Sequence, residues 1–272
     1  MEKLPVDNRP IGIFDSGLGG LTVVSAFRKR MPNEDIVYLG DTARVPYGTK
    51  SVESIIRFAR QDVEFLLHKN VKMILAACNT VSAVALDTLH KEYPNVMLYG
   101  VLESGISAAL KSKANSIVIL GTRATIASDA YRRGIHAINS SIDVRNIACP
   151  LFVSLVEEGI LSGPIVEDVL DYYLNDLKGK KPGAIVLGCT HYPLLKNALD
   201  DFFLHEVKLI DNAESAAEFM QQKIENSGIG CALHKQQTSQ YFVTDFPRLF
   251  HENASRFLGE LPVLVNKVQL DY

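Results

Sequence analysis

The 272-residue chain has little that would tie it to a membrane, a nucleic acid or an oxidising compartment. Its formal charge of −3 and pI near 6.2 leave no basic excess for phosphate backbones or anionic lipid. No apolar run approaches the roughly 18 residues that a spanning helix requires. The opening residues Met1-Glu2-Lys3-Leu4-Pro5-Val6-Asp7 lack the apolar core of a secretory signal. Only four cysteines are present (Cys78, Cys149, Cys189 and Cys231), with no CxxC pair and no dense disulfide framework. These absences predict a cytoplasmic protein with reduced thiols and a small-molecule partner. No proline-, glycine- or serine-rich linker and no low-complexity tract divides the chain, which favours closely apposed units over separate beads.

What is present alternates. Short β-rich runs at Ile11–Phe14, Ile36–Leu39, Val71–Ala77, Val96–Gly100, Ser116–Leu120, Asp143–Ala148, Ala184–Leu187 and Val207–Ile210 are separated by stretches of helical period. Over Ser51–His68, Ser51 is placed to cap a helix, and Ile55, Ile56, Phe58, Ala59, Val63 and Leu66 form its apolar stripe. This alternation predicts an α/β fold with mainly parallel sheets covered on both faces. In such sheets ligands bind beyond the carboxyl ends of the strands.

Two of those strand ends look like copies of one another. Ile74-Leu75-Ala76-Ala77-Cys78-Asn79-Thr80 and Ile185-Val186-Leu187-Gly188-Cys189-Thr190-His191 each run from apolar residues into a cysteine and small polar groups. The repeat is longer than this. IGIFDSGLGGLT (Ile11–Thr22) and IVILGTRATIAS (Ile117–Ser128) are each a strand entering a small-residue loop, and they precede the two cysteines at similar distances. The repeat predicts two similar, pseudo-twofold-related α/β domains with a site in the cleft between them. The first spans 1–100 with 211–272, its C-terminal part packing back, and the second spans 101–210.

A lone cysteine is usually a small buried hydrophobe. Two at equivalent strand ends, each followed by polar residues, instead suggest a pair of acid/base groups. His191, two residues past Cys189, titrates near neutrality and suits a proton relay, although a helix N-terminal histidine satisfying local bonds is the plainer alternative. Zinc is the rival reading of this set, but two cysteines and a histidine from distant segments lack the short spacings of structural sites, and no metal is expected. In Asp15-Ser16-Gly17-Leu18-Gly19-Gly20 the glycines allow backbone amides to surround an anionic or zwitterionic ligand. A dinucleotide fingerprint is disfavoured, because its third glycine is missing and Asp15 would repel a pyrophosphate. Asp15 itself could accept an ammonium group, assist a proton transfer, or only cap the next helix. Asp41–Gly48 offers Tyr47 and loop amides beside turn-forming Pro46 and Gly48, Thr122 and Thr125 offer hydroxyls, and Glu157-Glu158 could simply end a helix.

Together these residues resemble the glutamate racemases. The resemblance is carried by FDSGLGGLTV (Phe14–Val23), YLGDTARVPYGTK (Tyr38–Lys50), AACNTVSA (Ala76–Ala83), GVLESG (Gly100–Gly105), LGTRATIAS (Leu120–Ser128), CPLFVSLVEEG (Cys149–Gly159) and LGCTHYPLL (Leu187–Leu195). The cysteine segments could also belong to an aspartate racemase, whereas DSGLGG with DTARVPYG is more specific to the glutamate enzymes. The resemblance implies cofactor-independent interconversion of L- and D-glutamate, supplying D-glutamate for peptidoglycan. It implies that Cys78 and Cys189 are the acid/base pair on opposite faces of the substrate, assisted by Asp15 and His191. Ser16, Pro46, Tyr47, Gly48, Asn79, Thr80, Thr122, Thr125 and Thr190 would hold the amino acid, with Glu157 near the site. A homodimer is a further expectation, a cell-wall-precursor effector is admitted, and neither nucleic acid nor membrane is a partner. Cys149 and Cys231 read as structural. Ser104 and Ser154 stand where many relatives carry proline, and Val81 where many carry a small residue, so Val81 would narrow the pocket edge or alter helix packing. An aspartate racemase, or a silent amino-acid-binding protein, is the competing reading.

Overall fold

The computed structural model of the chain describes residues 6–232, 238–246, 250–259 and 264–270. Its strands are β1 Ile11–Asp15, β2 Ile36–Gly40, β3 Met73–Ala76, β4 Leu98–Gly100, β5 Ser116–Gly121, β6 Asp143–Ala148, β7 Ala184–Gly188, β8 Lys208–Asp211, β9 Ser239–Val243 and β10 Val265–Lys267. Its helices are α1 Leu21–Arg30, α2 Val52–His68, α3 Asn79–Val84, α4 Leu86–Glu92, α5 Val101–Lys111, α6 Arg123–Ala127, α7 Ala130–Ile138, α8 Leu151–Glu157, α9 Pro164–Leu174, α10 Lys196–Phe202, α11 Asn212–Ser227 and α12 Phe250–Leu258. The described strands pair in parallel throughout. They form one sheet in the order β10-β9-β2-β1-β3-β4 and a second in the order β6-β5-β7-β8.

The sequence repeat is visible as topology. The run β2-β1-β3-β4 inside the first sheet has the same connectivity as β6-β5-β7-β8. β1 and β5 are therefore the strands at which successive crossovers leave on opposite sides, and a crevice opens there beyond the strand ends. Asp15 ends β1 and Cys78 follows its neighbour β3, while Thr122 and Cys189 follow the paired strands β5 and β7. β1, β3 and β7 are buried along their whole length, as strands covered by helices on both faces must be. One apolar cluster includes Ile13 and Leu75 of the first sheet together with Leu120 and Leu187 of the second, so the two sheets share a core.

Several boundaries differ from the sequence expectation for local reasons. The third strand is confined to Met73–Ala76, preceded by Lys72, whose ammonium group turns to Glu34 and to the carbonyls of Asp7 and Ile229. The fourth begins at Leu98, after a turn in which the Val96 amide donates to the Tyr93 carbonyl, and Met97 contributes only its carbonyl, which accepts from the Ile74 amide of β3. The eighth runs to Asp211, whose side chain then caps α11 by accepting from the Ala213 amide. In α2, Ser51 caps as expected and Ile55, Ala59, Val63 and Leu66 are buried. Ile56 and Phe58 are only half-buried, with the Arg44 guanidinium 4.3 Å above the Phe58 ring. β9 and β10 were not expected; β9 pairs with β2, so the C-terminal part extends the first sheet.

Candidate active site

The loops beyond the carboxyl ends of β1, β3, β5 and β7 converge on one cavity. Its wall contains Ser16 after β1, the Val45-Pro46-Tyr47-Gly48 segment, Cys78-Asn79-Thr80 after β3, Thr122 after β5 and Cys189-Thr190-His191 after β7. Val153 of α8 completes it. The cavity is small and partly open to solvent, with about 30 Å³ open to the centre of a water molecule between its walls. Both thiols are free and buried. Among the described residues no group of three or more His, Cys, Asp or Glu side chains is arranged to hold a metal ion, and no helix is long and apolar enough to cross a membrane.

On the Cys78 side the surroundings are short of positive charge. The thiol lies 3.6 Å from the Ser16 hydroxyl. Burial, and then the nearby Asp15 charge, push it up to about 12. Asp15 is fully buried at the end of β1, where its Oδ2 accepts from the amides of Gly17 (3.1 Å) and Gly20 (3.0 Å). Burial also raises the Asp15 carboxyl, with the facing His191 and these amides opposing it. Asp15 thus shapes the glycine loop and stands behind the wall rather than in it.

On the Cys189 side three titratable groups stand in a row. Cys189 Sγ is 3.8 Å from His191 Nδ1, and His191 Nε2 is 3.2 Å from Glu157 Oε1. Burial alone would depress the imidazole, but contact with Cys189 and Glu157 outweighs it and raises His191 to about 10. Glu157, the last residue of α8, is a helix end as suspected and also the outer partner of His191. Phe257 of α12 packs edge-on against the imidazole, with centroids 5.2 Å apart. Thr190 links the two sides, its hydroxyl lying 3.5 Å from both Asp15 Oδ1 and His191 Nδ1. The Gly19 position must be glycine, because a Cβ there would come within 2.3 Å of Thr190 Oγ1.

Hydroxyls and amides occupy the remaining wall. Thr80, Thr122 and Thr125 form a triangle with Oγ1 separations of 2.9, 3.0 and 3.3 Å, joining α3 to the loop after β5. Thr125 lies behind Thr80 and Thr122. Gly48 approaches Thr122 so closely that a Cβ would meet the threonine Cβ at 2.6 Å. Tyr47 borders the cavity, but its hydroxyl donates to Asp41 and is 3.2 Å from Asp62 Oδ2, so it braces the loop. Arg44 closes this group with its Nε 2.5 Å from Asp41. Val81 is wholly buried in α3 and not in the wall, which makes its effect one of helix packing. Ser104 donates back to the Val101 carbonyl inside α5. Val45 and Val153 were missed by the sequence reading, since an apolar wall residue in a loop or a short helix carries no chemical signal. Tyr131, Asn212 and Phe257 were missed because only the fold brings them to the site.

The Asp/Glu/Hydantoin racemase family matches residues 22–220. The glutamate racemase of Aquifex aeolicus is 48% identical over 221 residues, covering 81% of this chain and 85% of the relative. That of Syntrophus aciditrophicus is 41% identical over 271 residues, covering 99% of this chain and 100% of the relative. The crystal structure of the Francisella tularensis glutamate racemase in complex with D-glutamate superposes with a TM-score of 0.90 at 42% identity, covering 97% of this chain and 99% of that one. The chain belongs to the Asp/Glu/Hydantoin racemase family and, within it, to the glutamate racemases.

Proposed function

We propose that this protein interconverts L- and D-glutamate by proton transfer between two thiols, without a cofactor. The observation that carries the reading is that Cys78 and Cys189, from equivalent strand ends of the two sheets, line the same cavity. Inverting an α-carbon held in one orientation requires removal of its proton on one face and delivery on the other. For the enantiomer whose Cα–H faces Cys189, that sulfur takes the proton and leaves the electron pair on Cα, and the Cys78 thiol protonates the opposite face. The roles exchange in the reverse direction. Cys78 is the resting acid, because its surroundings keep it protonated at neutral pH. Cys189 and His191 share the exchangeable proton on the other side, with Glu157 steadying the imidazole.

The carbanion needs donors where negative charge grows on the carboxylate. Asn79, Thr80, Thr122 and Thr190 present amide and hydroxyl groups in a narrow site with room for little water. Asp15 supports the loop amides and assists transfer from behind Thr190. Ser16, Pro46, Tyr47 and Gly48 shape the amino-acid pocket. The division into units 1–100 with 211–272 and 101–210 is supported by the strand content of the two sheets. A role in supplying D-glutamate to peptidoglycan, in a cytoplasmic homodimer, accords with this chemistry.

The test is incubation of the purified protein with L-glutamate in D₂O without added cofactor. The reading requires D-glutamate to appear with deuterium at Cα. A preference for aspartate would transfer the assignment to the shorter substrate, and amino-acid binding without exchange would make the thiols incidental.

A further inference from the structure

Asn79 borders the cavity, but what holds it does not. Asn79, Tyr131 and Asn212 are all buried, with no more than 3% exposure. Tyr131 of α7 donates its hydroxyl to Asn79 Oδ1 at 2.6 Å. Asn212, the first residue of α11, donates its Nδ2 to the same oxygen at 2.8 Å and to the Tyr131 hydroxyl at 2.5 Å. The Asn79 oxygen is thus fully engaged, while its Nδ2 and, on the far side of the trio, Asn212 Oδ1 are buried with no hydrogen-bond partner among the described residues. Reversing the Asn79 amide by itself would set two amide nitrogens 2.8 Å apart. Room for the trio is left by Gly105 of α5, where a Cβ would stand 2.7 Å from Asn212 Oδ1 and 3.0 Å from the Tyr131 hydroxyl. The three residues follow β3, β5 and β8, so the arrangement exists only with both sheets in place.

We propose that Tyr131 and Asn212 are positioning residues that lock the Asn79 carboxamide with its nitrogen free to donate to a carboxylate oxygen of the substrate. The inference rests on the glutamate reading above. A buried polar hydrogen without a partner is unfavourable, so an acceptor brought by the ligand is bound more firmly than by an amide free to rotate. The role belongs to orientation, since neither Tyr131 nor Asn212 lines the cavity.

The test is a double-mutant cycle read by the calorimetric dissociation constant for D-glutamate and by kcat/KM. Tyr131→Phe should weaken both about tenfold in the wild-type background. In an Asn79→Ala background the same change should cost less than about twofold, because there is no amide left to orient. Asn212→Asp is the second variant: an acceptor-only group at 212 makes Asn79 present its nitrogen inward and its oxygen to the ligand, weakening binding at least as much. A merely structural role would lower both backgrounds equally, and that result, or wild-type affinity in both variants, overturns the proposal. A wild-type protein that binds D-glutamate without racemising it overturns the racemase reading while the binding cycle still decides this one. A wild-type protein that binds neither enantiomer overturns both.

Discussion

The Cys78 and Cys189 arms share strand position and burial and differ in almost everything around the sulfur. Cys78 has a hydroxyl at 3.6 Å and a buried carboxylate nearby, and both burial and that charge hold it protonated. Cys189 has an imidazole at 3.8 Å, itself backed by a carboxylate that reaches solvent. The backbone repeat therefore supplies two equivalent thiols, and side chains that differ between its two copies, with Glu157 from α8, make them unlike. The lesson is that pseudo-symmetry of fold fixes where the groups stand, while their protonation is set by neighbours that the symmetry does not copy.

The largest effect is expected from the sulfurs themselves. Cys78→Ala and Cys189→Ala should each lower racemisation by at least about 1000-fold, measured by circular dichroism from either enantiomer. Both variants should stay folded, since a small buried side chain is replaced by a smaller apolar one. Near-normal turnover by either would end the two-thiol account.

Much of this comparison was legible in the sequence, and the illegible part has a physical reason. The twin apolar runs ending in Cys78 and Cys189 are local patterns, so they mark strands, strand ends and their small polar followers. The asymmetry around Cys189 is partly local, because His191 is two residues away. Its outer partners are not: Glu157 is brought in by α8 and Phe257 by α12, and only packing places them against the imidazole. The same holds for Tyr131 and Asn212, and for β9, which enters the first sheet beside β2 from the far end of the chain. Tyr47 teaches a subtler point, since its position at the cavity was legible while the direction of its hydroxyl, toward Asp41 and Asp62, was not.

The next effect isolates the relay. His191→Asn should lower kcat about 100-fold. It should also change the pH dependence of stability in a window of its own. His191 is raised from 6.5 to about 10 in the folded protein, so the native state keeps a proton that the unfolded chain has lost. That contribution is fully present below about pH 6.5 and is lost as the pH rises toward 10. Cys78, raised from 9.0 to about 12, acts in the same direction but between about pH 9 and 12. Urea denaturation across pH 6 to 11 should show His191→Asn flattening the lower part of this decline and Cys78→Ala the upper part. Interchanged windows would refute the assignment of the two environments.

Glu157→Gln is a milder cut at the same arm, expected to lower kcat about tenfold. The His191 pKa should fall without its carboxylate partner, and an NMR titration of the imidazole would report the shift directly. An unmoved titration would show that Cys189 alone sets the imidazole.

The smallest effect is expected at Ser16, whose hydroxyl is the only side-chain hydrogen bond described at the Cys78 sulfur and, at 3.6 Å, a weak one. Ser16→Ala removes an influence that lowers the Cys78 pKa, so the thiol should rise further and the rate fall about two- to threefold. The enantiomers have equal free energy, which forces kcat/KM to fall by the same factor in both directions and hides which arm was weakened. The α-deuterium isotope effect does not share that constraint, because in the two-thiol account each enantiomer meets a different sulfur first. Slower transfer at Cys78 should enlarge the isotope effect for the enantiomer whose Cα–H faces Cys78 and shrink it for the other. Glu157→Gln should produce the opposite pair of changes, and a matching sign in the two variants would mean that the two neighbours act on one shared step rather than on separate arms.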